Sequence, residues 1–284
     1  MSELTRRVLF SLVAAPLTVA IVYFGGWILA ATLGAVAATA AWEVFRMARA
    51  GGANPMAKSG IVLAALIPLV VHAYYLGLFT LPIAGEAVVF LILLASVLWV
   101  RGVEGRPFVA VAITVFGVLY ASMITFVYPL RYHPYAIGAG AGTTLVMLPV
   151  LAVWGTDTGA YAFGRLFGKR KLMSSVSPKK TIEGALGGLF VTVVTCWLYS
   201  KAVLEPLAHL ALSPAGVVMF GVAISVAAQT GDLVESLLKR DSGVKDASTL
   251  IPGHGGILDR IDSQLFALPV AYLIIGYLLI PILG

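Results

Sequence analysis

Apolar stretches of about 17 to 25 residues, long enough to cross a bilayer as helices, alternate with polar segments along this 284-residue chain. The pattern predicts nine transmembrane helices, at roughly 8–24, 26–45, 60–78, 84–100, 107–129, 142–163, 184–204, 213–238 and 263–283. The fold class predicted is therefore all-α, a polytopic helical bundle integral to a membrane.

Composition supports this fold class. Hydrophobic residues make up 60% of the chain, charged residues make up 11%, and the mean hydropathy is +0.98. A soluble domain does not combine these values at this length. One membrane domain, 1–284, is the simplest organisation, with N-terminal helices in 1–141 and the motif-bearing half in 142–284.

The distribution of cations predicts the orientation. Short loops rich in Lys and Arg stay on the cytoplasmic side of a membrane. With a cytoplasmic N-terminus, only Arg131 and Lys201 of the 19 Lys and Arg residues fall outside. Nine spans then place the C-terminus outside, in a multi-pass protein of the inner (cytoplasmic) membrane. Because this topology explains the net charge of +6, no nucleic-acid partner is expected.

Polar chemistry concentrates in the second half, and its first constellation lies in 154–171. Asp157, Tyr161 and Gly164 or Arg165 recur at steps of three and four residues, so they share one helix face. A carboxylate inside a membrane is costly and usually marks a functional site. The structural alternative is a buried Asp157 that hydrogen-bonds a Thr or Tyr between packed helices.

The second constellation is a loop at 174–184. Ser177, Lys179 and Lys180 place a hydroxyl and two ammonium groups just before a helix, and such groups bind phosphate oxygens. The alternative is a solvated loop whose cations only set the topology.

The third constellation covers 228–262. A helix there would align Asp232, Glu235, Ser236 and Lys239 in one polar stripe, which cannot face lipid. A turn rich in Pro and Gly follows, and then Asp259 and Asp262. Carboxylate oxygens suit Mg²⁺, which completes its coordination with water and phosphate oxygens. Structural salt bridging among these charges is the alternative.

Residues 236–262 resemble the signature of the phosphatidate cytidylyltransferases (CDP-diacylglycerol synthases). The match is carried by Ser236, Lys239, Arg240, Lys245, Asp246, Pro252, His254, Gly255, Gly256, Asp259, Arg260 and Asp262. The segments GDLVES, SPKKTIEG and DTGAYAFGRLFGK also look like this family, so the motifs cover the C-terminal half.

The resemblance implies the reaction of CTP with phosphatidic acid to give CDP-diacylglycerol and pyrophosphate, in phospholipid biosynthesis at the bilayer. It also implies Mg²⁺, a second cation such as K⁺, and a homodimer. The active site would face the cytoplasm.

Roles follow from the resemblance position by position. The metal ligands would be Asp232 and Asp259 first, with Asp262, Asp246 and Asp157 as weaker candidates. The catalytic groups would be Lys239, Arg240, Lys245, Asp246, His254 and Arg260. The alternative role of His254 is a structural hydrogen bond within the glycine turn. The substrate-binding groups would be Ser177, Lys179, Lys180, Ser236, Gly255 and Gly256.

Two other functions fit parts of the pattern. A CTP-dependent polyprenol or phytol kinase would share the membrane bundle and the basic phosphate loops, but it would transfer the γ-phosphoryl group to a hydroxyl. An ion-coupled transporter also carries intramembrane carboxylates. The transporter is the weaker alternative, because the polar groups gather on one face of the predicted bundle.

Overall fold

The computed structural model describes residues 3–78, 80, 83–250 and 255–282, and these residues are mainly helical. The helices are α1 (Glu3–Phe24), α2 (Gly26–Ala50), α3 (Ala57–Tyr75), α4 (Ile83–Val100), α5 (Pro107–Ser122), α6 (Val127–Arg131), α7 (Gly138–Phe167), α8 (Ile182–Tyr199), α9 (Glu205–Ala208), α10 (Pro214–Asp241) and α11 (Leu258–Leu278). A 3₁₀ turn (Met123–Phe126) joins α5 to α6, and a π-helical turn (Ser200–Leu204) joins α8 to α9.

Long apolar helices confirm the predicted class of an all-α polytopic membrane protein. Within the described ranges, seven helical stretches are long and apolar enough to span a membrane, and shorter apolar helices lie at Leu12–Phe24 and Gly85–Val100. Every predicted stretch overlaps one of the helices. The count of nine membrane crossings and the orientation of the termini stay predictions.

Two short antiparallel strand pairs accompany the helices. Strands β1 (Lys171–Met173) and β2 (Ser177–Thr181) form a hairpin directly before α8. Strands β3 (Leu210–Leu212) and β4 (Leu279–Pro281) pair from Leu210 with Pro281 to Leu212 with Leu279. The β1–β2 hairpin gives a defined backbone to the polar segment that the sequence indicated only as a loop.

The chain forms two compact units. The first comprises Met1–Gly25, Phe126–Leu237 and Ile261–Gly284, and the second comprises Gly26–Thr125 and Leu238–Arg260. The proposed single membrane domain and its division at residue 141 stay predictions.

In the first unit, α7 and α8 pack closely through small residues. A Cβ atom on Gly184 would lie 2.8 Å from the carbonyl oxygen of Ala160, and one on Gly188 would lie 2.9 Å from that of Thr156. The hydroxyls of Thr156 and Thr192 hydrogen-bond at 2.6 Å, and both residues are buried. Small residues and hydroxyl pairs are typical of helix contacts in membranes. This packing brings the polar end of α7 beside the start of α8.

In the second unit, the ring of buried Phe45 on α2 occupies the core. It lies against Gly60 of α3 and Gly117 of α5, where any larger side chain would overlap the ring. The hydroxyl of buried Thr114 accepts a hydrogen bond from the backbone N–H of Met56 at 2.9 Å, just before α3 begins. These contacts fix α2, α3 and α5 as the frame of this unit.

Candidate active site

A cavity of about 470 Å³ lies at the end of α7 in the first unit. Its lining comprises Thr156, Asp157, Ala160, Tyr161, Gly164, Arg165, Leu172, Lys179, Lys180, Thr181, Gly184, Ala185, Gln229 and Asp232. Carboxylates, ammonium groups, a guanidinium and hydroxyls therefore surround one space. Members of all three polar constellations of the sequence meet here.

The α7 side of the cavity has the shared face that the sequence predicts. Asp157, Tyr161, Gly164 and Arg165 all line the cavity from successive turns of one helix. The guanidinium of Arg165 donates to the phenolic oxygen of Tyr161 at 3.0 Å. The side chain of Asp157 is solvent-exposed in the isolated chain. It is therefore not the buried carboxylate that the structural alternative requires.

The β1–β2 hairpin forms another side of the cavity and is anchored at both ends. At its start, the carboxylate of Glu183 accepts hydrogen bonds from the backbone N–H groups of Lys169 and Arg170 at 3.0 and 3.1 Å. At its end, the Thr181 hydroxyl accepts from the N–H of Gly184 at 3.1 Å and caps α8. These anchors hold the hairpin beside the cavity.

Lys180, on the hairpin, contacts α10 across the cavity. Its Nζ lies 2.6 Å from Oδ2 of Asp232, and the Ser236 hydroxyl donates weakly to Oδ1 of Asp232 at 3.4 Å. Lys179 also lines the cavity, whereas Ser177 lies in β2 away from the lining. Two lysines and a carboxylate of the predicted site are therefore adjacent.

Two further acidic residues of this unit are buried. Glu235 on α10 is fully buried, and Asp262 on α11 is 9% exposed. Oδ1 of Asp262 accepts from the backbone N–H of Ser263 at 2.6 Å. A Cβ atom on Gly231 would lie 2.7 Å from the Asp262 carbonyl oxygen, so only glycine lets α10 and α11 approach this closely. The predicted stripe of α10 thus carries one carboxylate that reaches the cavity, on Asp232, and one that is buried, on Glu235.

In the second unit, Asp259 organises the signature segment. Its Oδ1 lies 2.8 Å from Nζ of Lys239, and its Oδ2 accepts from the backbone N–H groups of Ala247 at 3.1 Å and Gly256 at 2.7 Å. Gly255 has a left-handed φ of +79°, and a Cβ there would lie 2.7 Å from Oδ2 of Asp259. Asp259, Lys239, Gly255 and Gly256 therefore have a structural role in this unit, in addition to any role in catalysis.

Four other signature residues of this unit lie at the surface. Arg240, Lys245, Asp246 and Arg260 are exposed. His254 lies outside the described residues, so its role stays a prediction.

Glu43 on α2 is a residue of this region that the sequence did not indicate. It is fully buried, and its carboxylate accepts from the Ser248 hydroxyl and from the N–H groups of Ile257 and Leu258. Its partners follow it by 205 to 215 residues along the chain. No local pattern in a single sequence could reveal such contacts.

The cavity of the first unit carries carboxylates of the type that divalent cations bind. Mg²⁺ binds proteins through one or two carboxylates and keeps water or phosphate oxygens on its other positions. Asp157 and Asp232 provide two carboxylates on one cavity, and Asp232 already attracts the ammonium of Lys180. Among the described residues, no group of three or more His, Cys, Asp or Glu side chains is arranged to hold a metal ion.

Fold and cavity together define a polytopic membrane protein with a charged site at the end of apolar helices. The cytidylyltransferase family model matches residues 5–278. The phosphatidate cytidylyltransferase of Synechocystis sp. is 30% identical over 317 aligned residues, which cover 99% of each chain. This chain belongs to the cytidylyltransferase family.

Other relatives align with only about half of the chain, but their sequence identity over that half is higher. The phosphatidate cytidylyltransferase of Bacillus subtilis is 41% identical over 135 residues, or 48% of each chain. That of Haemophilus influenzae is 44% identical over 140 residues, which cover 49% of this chain and 48% of the relative.

Proposed function

We infer that this chain is a phosphatidate cytidylyltransferase, which transfers the CMP group of CTP to phosphatidic acid and releases pyrophosphate. The product, CDP-diacylglycerol, serves phospholipid biosynthesis. Membership of the family over residues 5–278 and the full-length similarity to the Synechocystis enzyme support the activity. The observation that carries the assignment to a site is the cavity at the end of α7, which unites Asp157, Arg165, Lys180 and Asp232.

The reaction is a substitution at phosphorus. An oxygen of the phosphatidate phosphate attacks the α-phosphorus of CTP, the bond from this phosphorus to the bridging oxygen of the β-phosphate breaks, and pyrophosphate leaves. The attacking phosphate is already anionic near neutral pH, so no strong base has to remove a proton. The main requirements are alignment of the two substrates and neutralisation of charge.

The cations of the cavity meet these requirements. Lys179, Lys180 and Arg165 are within reach of a phosphate placed in the cavity, because all three line it. A guanidinium can hold two phosphate oxygens at once, whereas each ammonium acts as a point charge. In the second unit, Lys239, Arg240, Lys245 and Arg260 are proposed to neutralise phosphate, and Asp246 and His254 are proposed to support them.

A bound Mg²⁺ would neutralise the polyphosphate and favour departure of pyrophosphate. Asp157 and Asp232 are the side chains of the cavity that would hold it. Asp259 and Asp262 are also proposed as ligands, and a second cation such as K⁺ is proposed beside Mg²⁺. A metal on Asp259 would compete with Lys239, whose Nζ lies 2.8 Å from Oδ1 of Asp259.

The proposed setting is the inner membrane of a bacterial cell, with the active site on the cytoplasmic side, where CTP is present. The excess of cations in the predicted cytoplasmic segments supports this orientation. A homodimer is part of the same proposal.

The choice of acceptor tests the activity. Purified protein in detergent micelles should convert phosphatidic acid and CTP to a cytidylylated lipid when Mg²⁺ is present and not when it is chelated. Diacylglycerol, phytol or a polyprenol should give no product. Phosphorylation of such an alcohol would instead identify a CTP-dependent lipid kinase and refute the proposal.

A further inference from the structure

Glu43 is a fully buried acidic residue within α2, a mainly apolar helix of the second unit. Burial of a carboxylate is costly unless hydrogen bonds replace its hydration. Its surroundings supply such bonds, and all of the donors come from the signature region rather than from neighbouring turns of α2.

Three donors converge on the Glu43 carboxylate from two parts of that region. The Ser248 hydroxyl donates to Oε1 at 2.5 Å, and the N–H of Ile257 donates to the same oxygen at 3.0 Å. The N–H of Leu258, the first residue of α11, donates to Oε2 at 2.6 Å. We call these four residues the Glu43 clamp. The clamp joins Ser248 to Ile257 and Leu258.

Neighbouring contacts reinforce the clamp. Arg46, one helical turn after Glu43, donates from its guanidinium to the carbonyl oxygen of Ala247 at 2.6 Å. Asp259 accepts from the N–H groups of Ala247 and Gly256, so a second carboxylate joins the residues that immediately precede Ser248 and Ile257. A Cβ atom on Gly256 would overlap the Glu43 carboxylate. Glycine at this position is therefore required for the carboxylate to approach the backbone.

We propose that Glu43 is a positioning residue for the cytidylyl transfer, which fixes Ser248 relative to Ile257 and the first turn of α11. The proposal rests on the proposed function. Glu43 acts through the signature residues that its clamp holds, among them Gly256, and it does not touch a substrate. Reacting groups must be aligned within about 1 Å, and such a misplacement can cost about 100-fold in rate.

Replacement of Glu43 by glutamine isolates this role. Glutamine keeps the size of the side chain, but it has one carbonyl oxygen and an NH₂ group that only donates. At least one of the three donors of the clamp is then left facing another donor. Ser248 and the start of α11 should then shift relative to Glu43, while the helices keep their packing.

Kinetics and hydrogen exchange of the intact protein test the proposal together. We expect Glu43→Gln to lower kcat by about 10- to 100-fold and to change the KM values for CTP and phosphatidic acid by less than about threefold. Amide exchange should accelerate in 247–260 and stay unchanged elsewhere. Glu86→Gln, at an exposed position on α4 of the same unit, is the matched control and should leave both readouts unchanged.

Ser248→Ala provides a milder variant, which leaves both backbone donors on Glu43. It should give a smaller loss of kcat, and the double variant should be no slower than Glu43→Gln, because both changes disrupt one clamp. Retention of kcat within twofold in Glu43→Gln overturns the proposal. So does a loss of melting temperature with faster exchange throughout the chain. If Glu43→Gln does not fold, an unchanged kcat in Ser248→Ala overturns the proposal instead.

Hydrogen exchange also separates this proposal from the proposed function. If the wild-type protein made no cytidylylated lipid, the proposed function would fail, and the positioning role would fail with it. The exchange of 247–260 in Glu43→Gln would still report whether the clamp holds these residues.

Discussion

The ammonium of Lys180 lies 2.6 Å from Oδ2 of Asp232, so the β1–β2 hairpin and α10 are joined by an ion pair across the cavity of the first unit. The two side chains are 27% and 35% exposed. A pair this open to solvent stabilises a fold by only about 0.2 to 1 kcal/mol. Each charge can therefore exchange partners at little cost, and we expect Lys180 to turn to substrate phosphate when substrate binds.

Lys180→Met tests this exchange, because methionine keeps much of the apolar stem and removes the charge. We expect kcat/KM for CTP to fall at least about 10-fold, while the melting temperature changes little because the pair is partly exposed. Lys58→Met, at an exposed cation on α3, is the control and should keep wild-type turnover. Equal activity of the two variants would remove Lys180 from the phosphate site.

The two leading carboxylates should differ in how their asparagine variants affect stability. Asp232→Asn changes a partly exposed side chain, whereas Asp259→Asn changes one that is 9% exposed and binds Lys239, Ala247 and Gly256. We expect both variants to lose more than about nine-tenths of turnover, as even outer ligand partners of a metal give about 10-fold effects. The melting temperature should fall clearly only in Asp259→Asn, because hydrogen bonds to a charged group contribute about 1.5 to 3 kcal/mol.

Activity assays and thermal unfolding of the purified variants test both expectations. More than a tenth of wild-type activity in both variants would argue against metal ligation by either carboxylate. An equal loss of melting temperature would contradict the structural difference between Asp232 and Asp259.

Hydrophobic pattern alone predicted the helices well, because apolar length and helical periodicity are local properties. The shared face of Asp157, Tyr161 and Arg165 follows from a spacing of three or four residues, and the structure has it. Helix ends were less accurate. The stretch predicted at 142–163 extends as α7 over Gly138–Phe167, since its polar and glycine-rich ends stay helical without being apolar.

Features that depend on distant contacts were not predictable. Strand β2 (SPKKT) contains a proline and two lysines and lacks the alternation of an ordinary strand. Hydrogen bonds of Glu183 and Thr181 anchor the ends of this hairpin. Glu43 shows no periodicity that marks it as special, and its partners begin 205 residues later. A single sequence contains no signal for such pairs.

Single cysteines can establish the membrane orientation once the native thiol is removed. Cys196 is buried in α8 and would be replaced by serine. Cysteines at exposed Ser175 and half-buried Ser242 should then react with a membrane-impermeant reagent only from the cytoplasmic side. Gly140→Cys should react from the outside, and a Cβ there meets no atom within 4 Å. Labelling of position 175 or 242 in intact cells would reverse the proposed orientation.

The fate of each phosphate of CTP tests the central claim most directly. Purified protein would be incubated with phosphatidic acid, Mg²⁺ and CTP labelled either at the α-phosphate or at the γ-phosphate. Transfer of CMP predicts that the α-label enters the lipid and that the γ-label leaves as pyrophosphate. Appearance of the γ-label in lipid, with the α-label left in CDP, would contradict cytidylyl transfer and identify a kinase.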